Sequence, residues 1–496
     1  MLSMRDDIGY PSPWRSWLIW SSGSLFFLLG FFHRMAPAVL HRELTIDFSL
    51  SASSLGGLTS LYFYSYTAMQ IPTGLLADRF GPRRLLTVGL ASTALSSAFF
   101  ALAQDLFWAG IARFLIGGSV AIAFVTTLKL SSHWLPPKRY AFAAGLLLVA
   151  GMTGAVFAGF PLHTASLIFG WRDVTMASAL LAALMAGMVF WYVRDDPTKK
   201  GFKSYSLEDP GKPQSDKVLD SLRRVFTYRN TWYLFIAPGG VVGAVLTFSG
   251  LWGVPFLSDV YHLDNATAAF LCSVVMLAWA LSGPAFSLVS ERILLRRMPY
   301  LIGSIISLIS WTLIFWIPNW SIGTLSTLLF LAGFFSGGMI LGFAQGKETL
   351  PPSLSGTVTG VINMGVLTGP MLLQPLVGLM LDFTNKTESH SFEGIRVFTF
   401  EDYQIAFLPL LLWLVLLGSY AVEINAKSGQ EAVITVNDTV ARVSDSVNSP
   451  QRFSQPLPAG AEVQVIEVRG DWARVNLSNG RDAWVGIRSL TYVANS

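Results

Sequence analysis

Two arginines lie inside long apolar stretches of this sequence, where a charged side chain needs a physical reason to be present. Arg34 follows a Phe-Phe-His triplet that ends in His33, and Arg113 precedes a Phe-Leu-Ile-Gly-Gly run. A cation placed in hydrocarbon costs at least ~2.5 kcal/mol, so such a residue normally meets a partner or a water-filled cavity. Arg34, His33 and Arg113 are therefore candidates for binding an anionic substrate. The alternative for Arg34 is a structural role in which the guanidinium bonds helix carbonyls.

Polar side chains at helical spacing form a second candidate group. Tyr62, Tyr66 and Gln70 follow one another at intervals of four residues, which puts them on one face of a helix. Asn363 and Gln374, eleven residues apart, share a face of a later stretch. Polar groups on one face of a membrane helix point toward the protein interior, so we expect both faces to line one cavity. A packing stripe between helices would give the tyrosines the same spacing.

Other chemistry has no signature in the sequence. The six histidines are isolated from one another, and we find no nucleophile motif and no glycine-rich loop that would cradle a phosphate. We therefore predict no metal, no other cofactor and no enzymatic activity. The apolar stretches also lack Asp and Glu away from their ends. This disfavours proton antiport of cations and leaves His33, or the substrate itself, as the group that couples to protons.

Long apolar stretches must position these residues. Mean hydropathy is +0.51 and 52% of the residues are hydrophobic, which a soluble core of this size would not need. Roughly 20 helical residues cross the ~30 Å of hydrocarbon in a bilayer. About twelve stretches reach that length, near 18–40, 55–77, 85–104, 107–129, 140–162, 173–193, 232–258, 267–290, 299–317, 323–344, 356–381 and 404–423. The single cysteine, Cys272, lies within one of them and is interpreted as a packing residue.

A charged loop joins the second stretch to the third. Its glycine, acidic and basic positions are Gly74, Asp78, Arg79, Gly81, Arg83 and Arg84. This pattern resembles the loop between helices 2 and 3 of the major facilitator superfamily of secondary transporters. The resemblance implies that Asp78 caps or pairs with neighbouring helix ends and so latches one access state, while the arginines hold the cytoplasmic side. A simple positive-inside hairpin would use Arg83 and Arg84 but has no need of Asp78 or Gly81.

The second part of the chain repeats features of the first. Leu-Pro-Pro occurs at 135–137 and 350–352, and Thr-Gly occurs at 153–154 and 368–369, both at a shift of 215 residues. Parallel six-helix repeats are what transporters of the major facilitator superfamily show. The resemblance thus implies an all-α polytopic membrane protein of about twelve helices in two six-helix pseudo-repeats, working by alternating access.

A weaker echo extends the predicted latch to the second repeat. Glu291 and Arg292 match the Asp-Arg pair of the charged loop at a shift of 213 residues. The predicted organisation is a six-helix half at 1–193, a cytoplasmic linker at 194–229, a six-helix half at 230–425 and a β domain at 426–496.

The distribution of charge predicts the orientation in the membrane. The net charge is +4, but the basic residues fall in alternate loops rather than on one patch, which favours membrane topology over nucleic-acid binding. The positive-inside rule places both termini in the cytoplasm, and we expect a bacterial inner membrane whose lipid bilayer surrounds the chain.

The composition changes after the last apolar stretch. From Glu431 onward apolar and polar residues alternate at strand period, with turn residues between the runs. Gly-Asp-Trp472, then Asn479-Gly480, then Ala-Trp484-Val resembles a bacterial SH3-like barrel. The resemblance implies a small all-β domain with a possible peptide or protein partner.

The expected substrate is a small organic solute, anionic or zwitterionic. An arginine after Phe-Phe-His and before Pro37 resembles the anion-handling branches of the superfamily. The organophosphate antiporters among them carry another arginine in helix 7, and this sequence has none there, which leaves carboxylates, amino acids or small peptides. Drug efflux is one alternative, although the antiporter pattern at Gly145 and Gly154 lacks its final Gly-Pro pair. A membrane sensor or scaffold that signals through the β tail is another.

Overall fold

A computed structural model of the chain describes residues 9–205, 218–293, 297–350, 354–384, 391–392, 395–427, 430–477 and 481–492. The chain forms two compact units, Met1–Val415 and Leu416–Ser496. The first unit is helical and the second is mainly β, so the mixed architecture expected from the sequence is confirmed.

The first helix set comprises nine helices. They are α1 (Pro13–Val39), α2 (His41–Phe48), α3 (Ala52–Phe80), α4 (Pro82–Leu102), α5 (Leu106–Val120), α6 (Ile122–Trp134), α7 (Pro137–Phe157), α8 (Phe160–Phe169) and α9 (Trp171–Tyr192). Proline, whose missing N–H costs nothing in a first turn, begins α4 and α7. Side chains cap two others, since Ser51 accepts from the backbone N–H of Ser54 at α3 and Asp105 accepts from Trp108 at α5.

The second helix set follows a short helix, α10 (Val218–Thr227). It comprises α11 (Arg229–Thr247), a π-helical turn (Phe248–Trp252), α12 (Gly253–Tyr261), α13 (Asn265–Ile293), α14 (Arg297–Trp316), α15 (Ile322–Ser336), a 3-10 turn (Gly337–Met339), α16 (Ile340–Thr349), α17 (Ser355–Thr384) and α18 (Phe400–Lys427). A two-stranded ribbon, β1 (Ser391–Phe392) with β2 (Ile395–Arg396), lies between α17 and α18.

Every predicted span lies in helical structure, apart from one or two residues at an end or at an internal turn. Ten helical segments of the described residues are long and apolar enough to cross a membrane. The predicted spans at 55–77 and 404–423 lie outside those ten, in α3 and α18, which have 29 and 28 residues. At ~1.5 Å per residue both exceed the ~30 Å of hydrocarbon, so their length suffices.

Small residues allow the helices to approach closely. A Cβ added at Gly154 of α7 would collide with the backbone oxygen of Leu28 in α1, and one added at Gly365 of α17 would collide with that of Phe235 in α11. Close backbone approach at glycine is typical of helix pairs in membranes. Gly151 and Gly154 thus pack α7 against α1.

The second unit contains a five-stranded antiparallel sheet in the order β6-β5-β4-β3-β7. The strands are β3 (Gln430–Ile434), β4 (Glu462–Arg469), β5 (Trp472–Leu477), β6 (Asp482–Gly486) and β7 (Leu490–Tyr492). Alternate residues of β4 and β5, among them Val463, Val465, Ala473 and Val475, form its buried core. The period-two pattern read from the sequence therefore corresponds to one buried face.

Candidate functional site

Arg34 is enclosed by aromatic rings in the first helix set. Its guanidinium carbon lies 4.2 Å from the ring centre of Phe31, 4.7 Å from Tyr66 and 5.8 Å from Tyr62. The arginine is 5% exposed, and its Nε has no hydrogen-bond partner among the described residues. The face of an aromatic ring attracts a guanidinium, but it does not use the guanidinium N–H groups as hydrogen-bond donors. These groups can still donate in the plane of the guanidinium. Arg34 is thus held in place with hydrogen-bonding capacity to spare.

Arg113 also lies beside Tyr62. Its guanidinium carbon is 5.2 Å from the ring centre of Tyr62, and its Nη1 donates to the backbone oxygen of His33 at 2.9 Å. Neither Nε nor Nη2 of Arg113 has a partner in the described part of the chain. The His33 ring lies within hydrogen-bond distance of Ser97, with Nε2 and Oγ 3.2 Å apart. The predicted residues Arg34, His33, Tyr62, Tyr66 and Arg113 therefore form one cluster.

Helix positions explain this cluster. Tyr62 and Tyr66 occupy one face of α3, their rings stack at 5.8 Å, and the Tyr62 hydroxyl donates to the backbone oxygen of Gly30 at 3.0 Å. That bond fixes α3 against α1 at the level of the arginines. Spans 18–40, 55–77 and 107–129 contain no Asp or Glu, so these spans supply no carboxylate to neutralise the two cations. The cluster therefore holds two buried arginines without a counter-ion from the spans that carry them.

The predicted polar residues of α17 meet both helix sets. The Asn363 side-chain amide donates to Gln70 Oε1 at 2.6 Å, which joins α17 to α3. Gln374 is completely buried, its Nε2 donates to the backbone oxygen of Leu246 at 3.2 Å, and its own backbone oxygen accepts from Trp252 Nε1 at 2.9 Å. Asn363 and Gln374 therefore lie at different levels of the contact between the sets.

Ser249, in the predicted span 232–258, is a weaker candidate from the sequence, and the structure buries it beside α1. It lies in the π-helical turn, is 4% exposed, and its hydroxyl has no partner among the residues described. The turn faces α1, and Ser249 lines a cavity with Met35 and Val39 of α1 and with Cys272 of α13. A π turn, which often marks functional sites, has no reliable sequence signal apart from the glycines at 250 and 253.

The two helix sets are tightly joined at one end, which we name the closed end and define by the contact of residues 52–56 with 374–382. The backbone N–H groups of Ala52 and Ser53, at the start of α3, donate to the Asp382 carboxylate at 3.1 and 2.8 Å. Arg396 lies 3.3 Å from the same carboxylate. A Cβ at Gly378 would collide with Ala52, and one at Gly56 would collide with Gln374. Asp382 was not predicted, although a carboxylate at a helix N-terminus is favourable.

The other end, which carries the 74–85 loop, is the open end. Two separate apolar clusters lie there, one of Ala77, Leu85 and Ile122 in the first set, and one around Leu234 and Val358 in the second. Gly74 and Gly360 stand equally far along α3 and α17 from the Ala52–Asp382 contact, and an added Cβ at either would meet no described neighbour within 4 Å.

The loop residues bind the first helix set itself. Gly81 has φ +81° and separates α3 from α4, and the Asp195 carboxylate fills the space where its Cβ would stand. Asp195 also accepts from the backbone N–H of Arg83 at 2.7 Å, so it caps α4, and the Arg83 side chain donates to the backbone oxygen of Phe190 in α9. The side chain of Asp78 lies outside the described residues, so its predicted role stays a prediction.

The remaining latch residues have simpler surroundings. Arg79 stacks on Phe80 at 5.4 Å, and Arg84, Glu291 and Arg292 are exposed. They are not part of the arginine cluster. Lys129, the last residue of the predicted span 107–129, donates to the backbone oxygen of Ala77 at 3.2 Å.

Known proteins are similar to this chain in sequence and in fold. The family model of the Major Facilitator Superfamily matches residues 22–382. The uncharacterized transporter YybO of Bacillus subtilis is 29% identical over 54% of this chain and 63% of its own length. A Thermus thermophilus protein named "Probable nitrate/nitrite antiporter NarK1" is 27% identical over 73% of this chain and 85% of its own.

A solved structure gives the same fold. A bacterial homologue of the human lysosomal transporter Spinster, in an inward-facing and unoccupied conformation, superposes with a TM-score of 0.67. It has 18% sequence identity and covers 83% of this chain and 97% of its own. A multi-pass helical body, the match across residues 22–382 and the shared fold agree, and the chain belongs to the Major Facilitator Superfamily as a membrane transporter.

Proposed function

We propose that this protein is a secondary transporter that moves a small organic anion across a bacterial inner membrane by alternating access. The observation that carries the proposal is the pair Arg34 and Arg113, both buried beside Tyr62 with unpartnered N–H groups and no acidic residue in the spans that hold them. Buried cations without counter-ions are costly, and an anionic substrate supplies the missing charge.

The contact between the helix sets supports alternating access. The sets meet at the closed end and carry separate apolar clusters at the open end, which is the arrangement of a carrier with one side accessible. The 74–85 loop with its basic residues marks the open end as cytoplasmic under the positive-inside rule, with both termini on that side. Opening the other side requires the contacts at 52–56 and 374–382 to break.

Ligand-dependent stability of the purified protein tests this proposal. A ligand that binds only the folded state stabilises it by ~2.7 kcal/mol at a hundred times its Kd. We expect carboxylates or other organic anions to raise the apparent Tm, and uptake into proteoliposomes to follow the same ranking. Arg34→Gln and Arg113→Gln should each abolish the ligand-induced shift while the unliganded protein stays folded.

Arg15→Gln is the matched control. Arg15 lies on the same helix as Arg34 and also stacks on a ring, that of Phe202 at 5.5 Å, but outside the buried cluster. It should retain the anion-induced shift. Stabilisation by cations alone, or anion binding that survives both substitutions in the cluster, contradicts the proposal and favours efflux or a sensor role.

A further inference from the structure

Positive charge is distributed unequally between the two helix sets. The first set carries Arg34 and Arg113 within its apolar spans. Between residues 229 and 425 the lysines and arginines all lie outside the predicted apolar spans; they are Arg229, Arg292, Arg296, Arg297, Lys347, Lys386 and Arg396. A substrate held between the sets therefore meets cations on one side only.

The second helix set offers hydrogen-bond acceptors in their place. Gln374 must direct its NH2 group toward the backbone oxygen of Leu246, because only that group can donate to a carbonyl. This leaves Gln374 Oε1 as a completely buried acceptor without a donor among the described residues. A buried acceptor without a donor is unfavourable, so a ligand hydroxyl that donates to it gains affinity.

The Ser249 hydroxyl is a second buried polar group without a partner among the described residues, and its neighbour Gly250 lies close to Gln374. Ser249 precedes Gly250, where an added Cβ would stand 3.2 Å from Gln374 Nε2 and 3.6 Å from the sulfur of Met35. Met35 follows Arg34 directly in α1, so the acceptors of the second set adjoin the helix that carries the cation. Apart from Ser273 and Cys272, the other residues that line the cavity at Ser249 are apolar, with Ala38, Val39 and Met276 among them.

From this arrangement we infer that the substrate is a hydroxylated organic monoanion, with its anionic group at Arg34 and Arg113 and an uncharged hydroxyl toward Gln374 and Ser249. The inference rests on the proposed anion transport and narrows it. A carboxylate at the second end would set its oxygens against an acceptor oxygen and would leave a buried charge without a cation. An ammonium group there would lack a carboxylate, since spans 232–258, 267–290 and 356–381 contain none.

Matched probes that differ by one group test the inference on the purified full chain. D-Gluconate, D-glucarate and D-glucitol carry one, two and no carboxylates on the same six-carbon chain. D-Glycerate, tartronate and glycerol form the three-carbon series, and propionate is the anion without a hydroxyl. We expect a monoanion of at least one series to bind at least tenfold more tightly than its dianion, and neither polyol to bind.

Variants then assign the effect to the second helix set. Gln374→Leu and Ser249→Ala should each weaken binding of the hydroxylated monoanion at least fivefold and leave propionate binding unchanged. A purely structural role would weaken both anions alike. Gln374→Lys should raise the affinity for the dianion relative to the monoanion, and unliganded melting curves identify any variant that does not fold.

The outcomes separate this inference from the proposed function. Dianions that bind as well as monoanions, or binding restricted to anions without hydroxyls, overturn the inference and leave anion transport intact. Failure of every organic anion to bind, or binding unaffected by Arg34→Gln and Arg113→Gln, overturns the proposed function itself.

Discussion

Of the aspartates that cap helix N-termini in the first unit, Asp195 and Asp382 differ in what they join. Asp195 accepts from the backbone N–H of Arg83 at the start of α4, and both residues belong to the first helix set. Asp382 of α17 accepts from Ala52 and Ser53 at the start of α3, across the contact between the sets. The local chemistry is the same, since a carboxylate satisfies unpaired N–H groups at the positive end of a helix. A cap within one rigid set stabilises that set, whereas a cap between sets stabilises one conformation of the carrier.

The largest expected effect comes from obstructing the closed end. Gly378→Leu would force side-chain atoms into the backbone of Ala52, where even a Cβ collides, so we expect uptake to fall at least tenfold and the unliganded Tm to fall. Gly360→Leu on the same helix meets open space and should leave the unliganded Tm unchanged. Equal Tm losses in the two variants would contradict the difference between the ends.

The second prediction compares the two caps directly. Loss of an N-cap costs about 0.5–2 kcal/mol, so Asp382→Ala should increase the population opened at this end by roughly 2- to 30-fold. Cys272, which is buried and lines the cavity between α1 and α13, is a native probe for a thiol reagent. Its labelling rate should rise in Asp382→Ala by that factor.

Asp195→Ala is the control for this measurement. It should reduce the free energy of unfolding by a comparable amount, and so lower the Tm, without raising the labelling rate of Cys272. Faster labelling in Asp195→Ala, or unchanged labelling in Asp382→Ala, would show that the two caps do not differ in the way proposed.

A smaller effect is expected at the hydrogen bond between Gln70 and Asn363. It joins the sets between the closed end and the level of Gly74 and Gly360, nearer to those two glycines, and a net contribution of about 1 kcal/mol is typical for such a bond. A double-mutant cycle with Gln70→Leu and Asn363→Leu, measured by unfolding, should give a coupling energy near that value. Strict additivity of the two substitutions would mean that the bond does not hold the sets together.

The smallest effect concerns the loop after α9. Partial burial favours the neutral acid at Asp196, but hydrogen bonds from Thr198, His133 and Ser204 favour the carboxylate more and lower its pKa to about 2, from 3.8 in an ordinary side chain. A depressed pKa contributes stability that is fully present above the unfolded value and is lost as the pH falls toward 2. The Tm advantage of the wild type over Asp196→Asn should therefore be constant above pH 5 and shrink between pH 4 and 2.

Much of this architecture could be predicted because hydrophobic length and charge are local properties of a sequence. The helical spans follow from runs of about 20 apolar residues, and the β domain follows from alternation. Arg34, Tyr62 and Tyr66 could be singled out because a cation and a polar face are conspicuous in apolar helices, although their contact required the fold.

Other features depend on distant partners and left no signal. Asp382 is 330 residues from Ala52 in the sequence, and no pattern in either segment predicts the hydrogen bond between them. Asp78 attracted attention through its motif, while Asp195, which fills the space beside Gly81, has an ordinary loop sequence around it. The unfilled acceptor of Gln374 depends on a carbonyl in α11. Such properties arise from tertiary packing rather than from period or composition.

The one-residue joint at Gly81 has a mechanical consequence. Since α3 ends at Phe80 and α4 begins at Pro82, only Gly81 separates the two helices. The Asp195 carboxylate packs against Gly81 and resists bending at this position. A rotation of α3 at its contact with α17 should therefore move α4 as well. It should also move α9, because the Arg83 side chain donates to the backbone oxygen of Phe190. The first helix set should therefore turn as one rigid unit rather than bend between α3 and α4.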